Sequence, residues 1–164
     1  MARYSASWQT VTAAALADTT NATDATYPGV LRGAGASVLG RINEVYIGGE
    51  DTASTPTSMS LARTSTISTG ALTVGNNALL DVQGTAPGTV FGFGNTVATT
   101  KPQRSSTLYL LNLSLNTFGG IARWQARYGE EITVFGNASN AGEVILSSKT
   151  GTGKTSGHII YEVV

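Results

Sequence analysis

The chain has 164 residues, no cysteine, and ten basic residues balanced by ten acidic ones. Charged residues make up only 12% of it, about half the usual share. These facts exclude disulfide frameworks, thiolate metal sites and thiol nucleophiles, and a neutral chain argues against nucleic acid as a partner.

The length fits one domain, residues 1–164, able to bury roughly 70% of its unfolded surface without a metal or disulfide. The first residues, Met1 to Trp8, carry no apolar signal core, and no run approaches the ~18 apolar residues of a membrane span. The expectation is a product made in the cytoplasm with no membrane partner. Tyr4, Ala6 and Trp8 alternate with polar neighbours, so residues 1–8 read as an N-terminal arm or first strand. Val11 to Ala17 has the composition of one or two helical turns, bounded by Asp18-Thr19-Thr20-Asn21.

From Ser58 to Ile67 the chain alternates: Met59, Leu61, Arg63 and Ile67 on one face, Ser60, Thr64 and Thr66 on the other. Residues 69–103 are rich in Gly, Thr and Asn, with Pro87 and Pro102. They read as a long connection between sheets, with one or two short strands near Leu79-Leu80 and Phe91-Gly92-Phe93. Long irregular insertions in compact domains are commonly functional, so this one is expected to be an interaction loop. Tyr109, Leu111, Leu113 and Leu115 then form an apolar strand face.

Phe118 to Val134 reads as two antiparallel strands joined by a Gly129-Glu130-Glu131 turn, with Trp124 as a buried packing anchor against the Tyr109–Leu115 strand. Val144 and Leu146, then Ile159, Tyr161 and Val163, continue the period-two pattern. Such a series of strands predicts an all-β fold. The architecture expected is a jelly-roll sandwich of about eight antiparallel strands with one long inter-sheet loop.

Chemistry is sparse. Gly153-Lys154-Thr155 ends like a phosphate-binding loop, but Ser148 stands where the first glycine belongs. Such a loop must also open a helix, and only nine strand-like residues follow Thr155. His158 is the sole histidine; it lies opposite the Ile159/Tyr161/Val163 face near Glu162 and reads as a solvated or interface residue. Glu130 and Glu131, as adjacent strand residues, would point to opposite faces and cannot flank one substrate. Asp18, Asp24, Glu50 and Asp51 show no calcium-loop spacing. Trp8, Tyr27, Phe118, Trp124 and Tyr128 suit a sugar platform, or more simply core and subunit contacts. No catalytic, cofactor or metal residue is expected. The structural anchors are Trp124, Tyr109, Leu111 and Leu113, and the interface candidates are Trp8, Tyr27, Leu79, Phe91 and Phe93.

Several segments in order carry a resemblance: Tyr27-Pro28-Gly29; Arg41-Ile42-Asn43-Glu44-Val45-Tyr46-Ile47-Gly48-Gly49-Glu50; Ser58 to Ser65; Leu113-Ser114-Leu115-Asn116; Gly119-Gly120; Arg123-Trp124; Gly129-Glu130-Glu131; and Gly142 to Ser148. The chain resembles the small jelly-roll structural proteins of tailed bacteriophages, including the head decoration or cement proteins. Many of these carry proline before the glycine of the Gly-Glu turn, where Tyr128 stands here. The resemblance implies a non-enzymatic virion protein on the capsid surface that binds and stabilises the major capsid protein shell. It also implies a homotrimer. The alternative is a carbohydrate-binding or receptor-binding β-sandwich module of a virion.

Overall fold

A computed structural model describes residues 2–12, 29–33, 39–68, 76–80, 91–94, 102–135, 142–151 and 153–164. Among them there are eleven strands and no helix. They are β1 (Ala2–Thr12), β2 (Gly29–Gly33), β3 (Leu39–Gly49), β4 (Pro56–Thr66), β5 (Asn76–Leu79) and β6 (Phe91–Gly94). The rest are β7 (Gln103–Asn116), β8 (Ile121–Gln125), β9 (Ile132–Phe135), β10 (Val144–Thr150) and β11 (Lys154–Val163). The helical turns expected from Val11 do not begin there, because β1 runs on through Thr12 in antiparallel pairing with Lys154. The rest of that segment lies outside the described residues.

Two antiparallel sheets form. The first has the order β5-β1-β11-β3-β8, with β9 also on β3, and the second has the order β6-β2-β10-β4-β7. The partners are nested. β4 pairs with β7, β3 with β8 and β9, β2 with β10, and β1 with β11. Counting β8 and β9 as one interrupted strand, this is a long hairpin of eight strands whose successive pairs alternate between sheets. That is the winding of a jelly roll. The 69–103 connection supplies the two remaining strands: β5 extends the first sheet beside β1, and β6 extends the second beside β2. Its last residue, Gln103, already belongs to β7.

The segment around Trp124 corrects one expectation. β8 and β9 are not hairpin partners. Both lie along the same edge of β3, β8 on Glu44 to Gly48 and β9 on Leu39 to Ile42. Asn43 is an extra residue of β3 at that junction, because Ile160 pairs with Glu44 while Tyr161 pairs with Ile42. The Ala126 amide donates to the Asn43 carbonyl at 2.8 Å, so the chain stays on the edge before looping out. The loop is a tight turn closed by the Glu130 amide on the Arg127 carbonyl at 2.9 Å, with Gly129 at φ 85°. Glu130 and Glu131 therefore sit in a connection and not on a strand.

Between the sheets the core gathers Leu31, Ile42, Val45, Ile47, Met59, Leu61, Leu115, Val134, Val144, Leu146, Ile159 and Tyr161. Leu111 and Leu113 pack against it half-buried, and so does Trp124. Trp124 was expected to be well buried; on the edge strand β8 one side of its indole has no further strand to cover it. The strand expected to face it, β7, belongs to the other sheet.

Tyr109 also departs from expectation. Leu61 pairs with Leu111, but the next residue, Ala62, pairs with Tyr109, so Leu110 is a bulge. A bulge resets the alternation. Tyr109 is thereby turned away from Leu111 and Leu113 and packs with Val30, Ala62 and Ile145 on the opposite face of the second sheet. Part of that face is buried as well. Ser60, Ser147 and Arg104 are buried there; Arg104 donates to both serine hydroxyls at 3.2 Å and its guanidinium lies 5.6 Å from the Tyr109 ring centroid.

Candidate functional site

Two exposed features stand out on this frame. The first is a row across the outer face of the first sheet. Cross-strand pairing places His158 of β11 beside Tyr46 of β3, and Tyr46 beside Arg123 of β8. The Tyr46 and His158 rings stack at 5.1 Å with 9° between their planes. Glu44, two residues before Tyr46 on β3, reaches both flanks. Arg123 Nη2 donates to its Oε2 at 2.7 Å, and His158 Nε2 lies 3.2 Å from its Oε1. The hydrogen bond from Arg123 is the main cause that holds the Glu44 carboxyl below its ordinary value, with His158 contributing in the same direction.

Both oxygens of Glu44 are occupied and the residue is buried, so it serves as an acceptor already in use and not as a free base. What the row can do is lock three strands together and present Arg123, whose side chain is 55% exposed. Sequence reasoning missed Glu44, Tyr46 and Arg123. Glu44 and Arg123 are far apart in sequence, and the Asn43 bulge hides the face that Glu44 occupies. His158 was placed near Glu162; its observed partner is Glu44.

The second feature is one end of the sandwich, where three connections meet. Thr117 is fully buried at their centre. Its amide donates to the Thr55 carbonyl at 3.1 Å, its hydroxyl to the same oxygen at 3.0 Å, and its carbonyl accepts from Asp51 at 2.8 Å. The Gly49 amide donates to Gly120 and the Glu50 amide to Lys154, at 2.8 and 3.0 Å. The β3–β4, β7–β8 and β10–β11 connections are thus joined by backbone bonds, which makes the end stiff. From it Phe118 and Ile121 project, 63% and 65% exposed. Tyr128 is fully exposed on the β8–β9 turn.

The phosphate-loop look-alike is the β10–β11 turn. Gly151 has φ 82°, its carbonyl accepts from the Ser148 hydroxyl at 3.3 Å, and Lys154 opens a strand and not a helix. Asp51 accepts from the amide of Thr52 at 3.0 Å. No group of three or more His, Asp or Glu side chains is assembled among the described residues. Asp18, Asp24 and Tyr27 lie outside the described residues. Trp8, Leu79, Phe91 and Phe93 are on β1, β5 and β6, and their side chains are not among the described ones. A shallow open groove lies between Pro56–Ser58 and Ser114–Asn116.

No family model, no curated protein and no solved structure matches this chain.

Proposed function

We propose that the protein is a bacteriophage virion structural protein, a capsid decoration or cement protein that binds and stabilises the shell of the major capsid protein. The observation that carries this reading is the stiff end of the jelly roll. Phe118 and Ile121 stand exposed on backbone held by three connections, in a chain with few charges. Preorganised apolar residues lose little freedom on binding, and a weakly charged surface is easily desolvated.

Bridging neighbouring capsid subunits adds binding free energy that must be lost before the shell opens. A homotrimer belongs to the same reading, because three linked copies multiply weak contacts. The test is thermal opening of particles with and without the protein. Opening at the same temperature rejects the cement role. Light scattering that gives the 16.9 kDa monomer, both in solution and released from particles, rejects the trimer.

The second reading, a carbohydrate-binding or receptor-binding module of a virion, draws on the Tyr46–His158–Arg123 row, which combines rings with an exposed donor. A glycan screen separates the two. Particles that lose host attachment while their shells survive heating favour the second.

A further inference from the structure

We propose that Arg63 is a binding point for a single carboxylate, recessed on the core side of the second sheet near the end where β10 begins. The sequence already sets this arginine on the apolar Met59/Leu61 face of β4. The register keeps it there. Arg63 pairs with Val144 of β10, and Val144 pairs with Leu31 of β2. Cross-strand partners share a face, and Leu31, Leu61 and Val144 are core residues at most 1% exposed. On its other flank β7 bulges. Between the pairs Ala62–Tyr109 and Thr64–Arg104, the four residues Ser105 to Leu108 stand against Arg63 alone. Beside that bulge Arg63 is half-buried, so a ligand can reach it.

The guanidinium has no counter-charge among the described residues. Its Nη1 is buried and makes no hydrogen bond. Glu143, directly before Val144, is committed elsewhere: its two carboxylate oxygens accept from the Ser68 amide at 3.0 and 3.3 Å. Burial pushes the Arg63 guanidinium below its ordinary value, and no carboxylate acts in the other direction. Arginine keeps its proton in proteins, so the charge stays. Native structures seldom leave a buried donor unpaired, and an uncompensated buried charge costs stability. Such a cost is retained where the group serves a ligand, because binding then recovers it.

The chemistry of the ligand follows from the donor. A guanidinium offers paired N–H groups in one plane, which match the two oxygens of a carboxylate. One guanidinium also balances one negative charge, whereas a phosphate carries more. Arg104, the neighbouring cation in the register, lies on the other face and is bonded to Ser60 and Ser147. Among the described residues there is no helix whose N-terminus would add positive charge. The carboxylate is either an acidic side chain of a partner protein or a small organic acid, since both present the same two oxygens. The site stands whether or not the protein decorates a capsid.

Two measurements on the full chain test this. Arg63→Met keeps a long side chain and removes the charge. It should raise Tm by roughly 2–4 °C, because an unpaired charge leaves a partly buried place. An unchanged Tm means that the charge is fully solvated, and a lower one that it is paired within the chain; either overturns the proposal. The second measurement is NMR of the wild type titrated with sodium acetate. The Arg63 Nε–H signal, identified by its absence in Arg63→Lys, should shift and saturate, and sodium chloride at the same ionic strength should leave it in place. No shift with acetate, or an equal response to phosphate, overturns the carboxylate site. Retention on sedimented particles then separates the two sources. Release of Arg63→Met where the wild type stays bound assigns the carboxylate to the shell. An acetate response with equal retention, or with no capsid binding by either protein, assigns it to a small organic acid.

Discussion

Arg123 and His158 bind opposite oxygens of one carboxylate, Glu44, from either side of Tyr46, at 2.7 and 3.2 Å. The arrangement ties β8, β3 and β11 through a group whose charge the bonds require. Glu143, at 0% exposure on the other sheet, lives under the reverse balance, since burial pushes its carboxyl above the ordinary value.

The two carboxylates give opposite pH signatures. Glu44 is lowered in the folded state, so its contribution is present above the ordinary value of 4.5 and is lost as pH falls through its folded pKa. Glu143 is raised from 4.5, so its contribution is full below that pH and declines as pH rises toward its folded pKa. Denaturation midpoints from about pH 3 to about pH 8 should show Glu44→Gln flattening the acid limb, while Glu143→Gln removes the decline above it. If both variants shift the curve in the same sense, this assignment fails.

Trp124→Ala should cost about 2 kcal/mol, less than the ~3–5 kcal/mol of a fully enclosed large aromatic, because Trp124 is half-buried on an edge strand. Leu61→Ala, at a position 1% exposed, should cost about 3 kcal/mol. Urea unfolding of both variants checks the order; a larger loss at Trp124 would place it deeper than the packing does.

Gly49 lies against Thr117 so closely that a Cβ there would fall 2.4 Å from the Thr117 Cα. Gly49→Ala should therefore destabilise by about 3 kcal/mol through displaced backbone, although alanine is otherwise mild. Thr117→Val keeps the volume and loses the hydroxyl bond to Thr55, and should cost about 1 kcal/mol. Thermal melts of the two proteins measure the contrast.

Phe118→Ser and Ile121→Ser should leave stability within about 0.5 kcal/mol, as exposed sites do. On the proposed function the same variants should weaken attachment to capsids, read as protein retained on sedimented particles. Because net charge is zero, retention should depend only weakly on salt. Full retention of both variants would move the contact away from this end.

The alternation of Met59 with Leu61, Leu111 with Leu113, and Ile159 with Tyr161 is a property of the chain itself. Side chains on a strand point to opposite faces in turn, so one apolar face already states which side meets the core. With glycine-rich turns between such runs, and few helix signals, an all-β sandwich is legible in the sequence alone. What the pattern leaves open is wherever one residue is added. The Leu110 bulge sends Tyr109 to the far face, and the Asn43 bulge sets Glu44 beside Arg123 and His158. A bulge is a choice of register between two strands, so neither strand alone records it. For the same reason β8 and β9 look like a hairpin in sequence yet lie end to end on β3, and Ser68 finds Glu143 and Arg32 only once β2, β4 and β10 are side by side. Local periodicity settled which residues face inward; long-range pairing decided which of the polar ones meet.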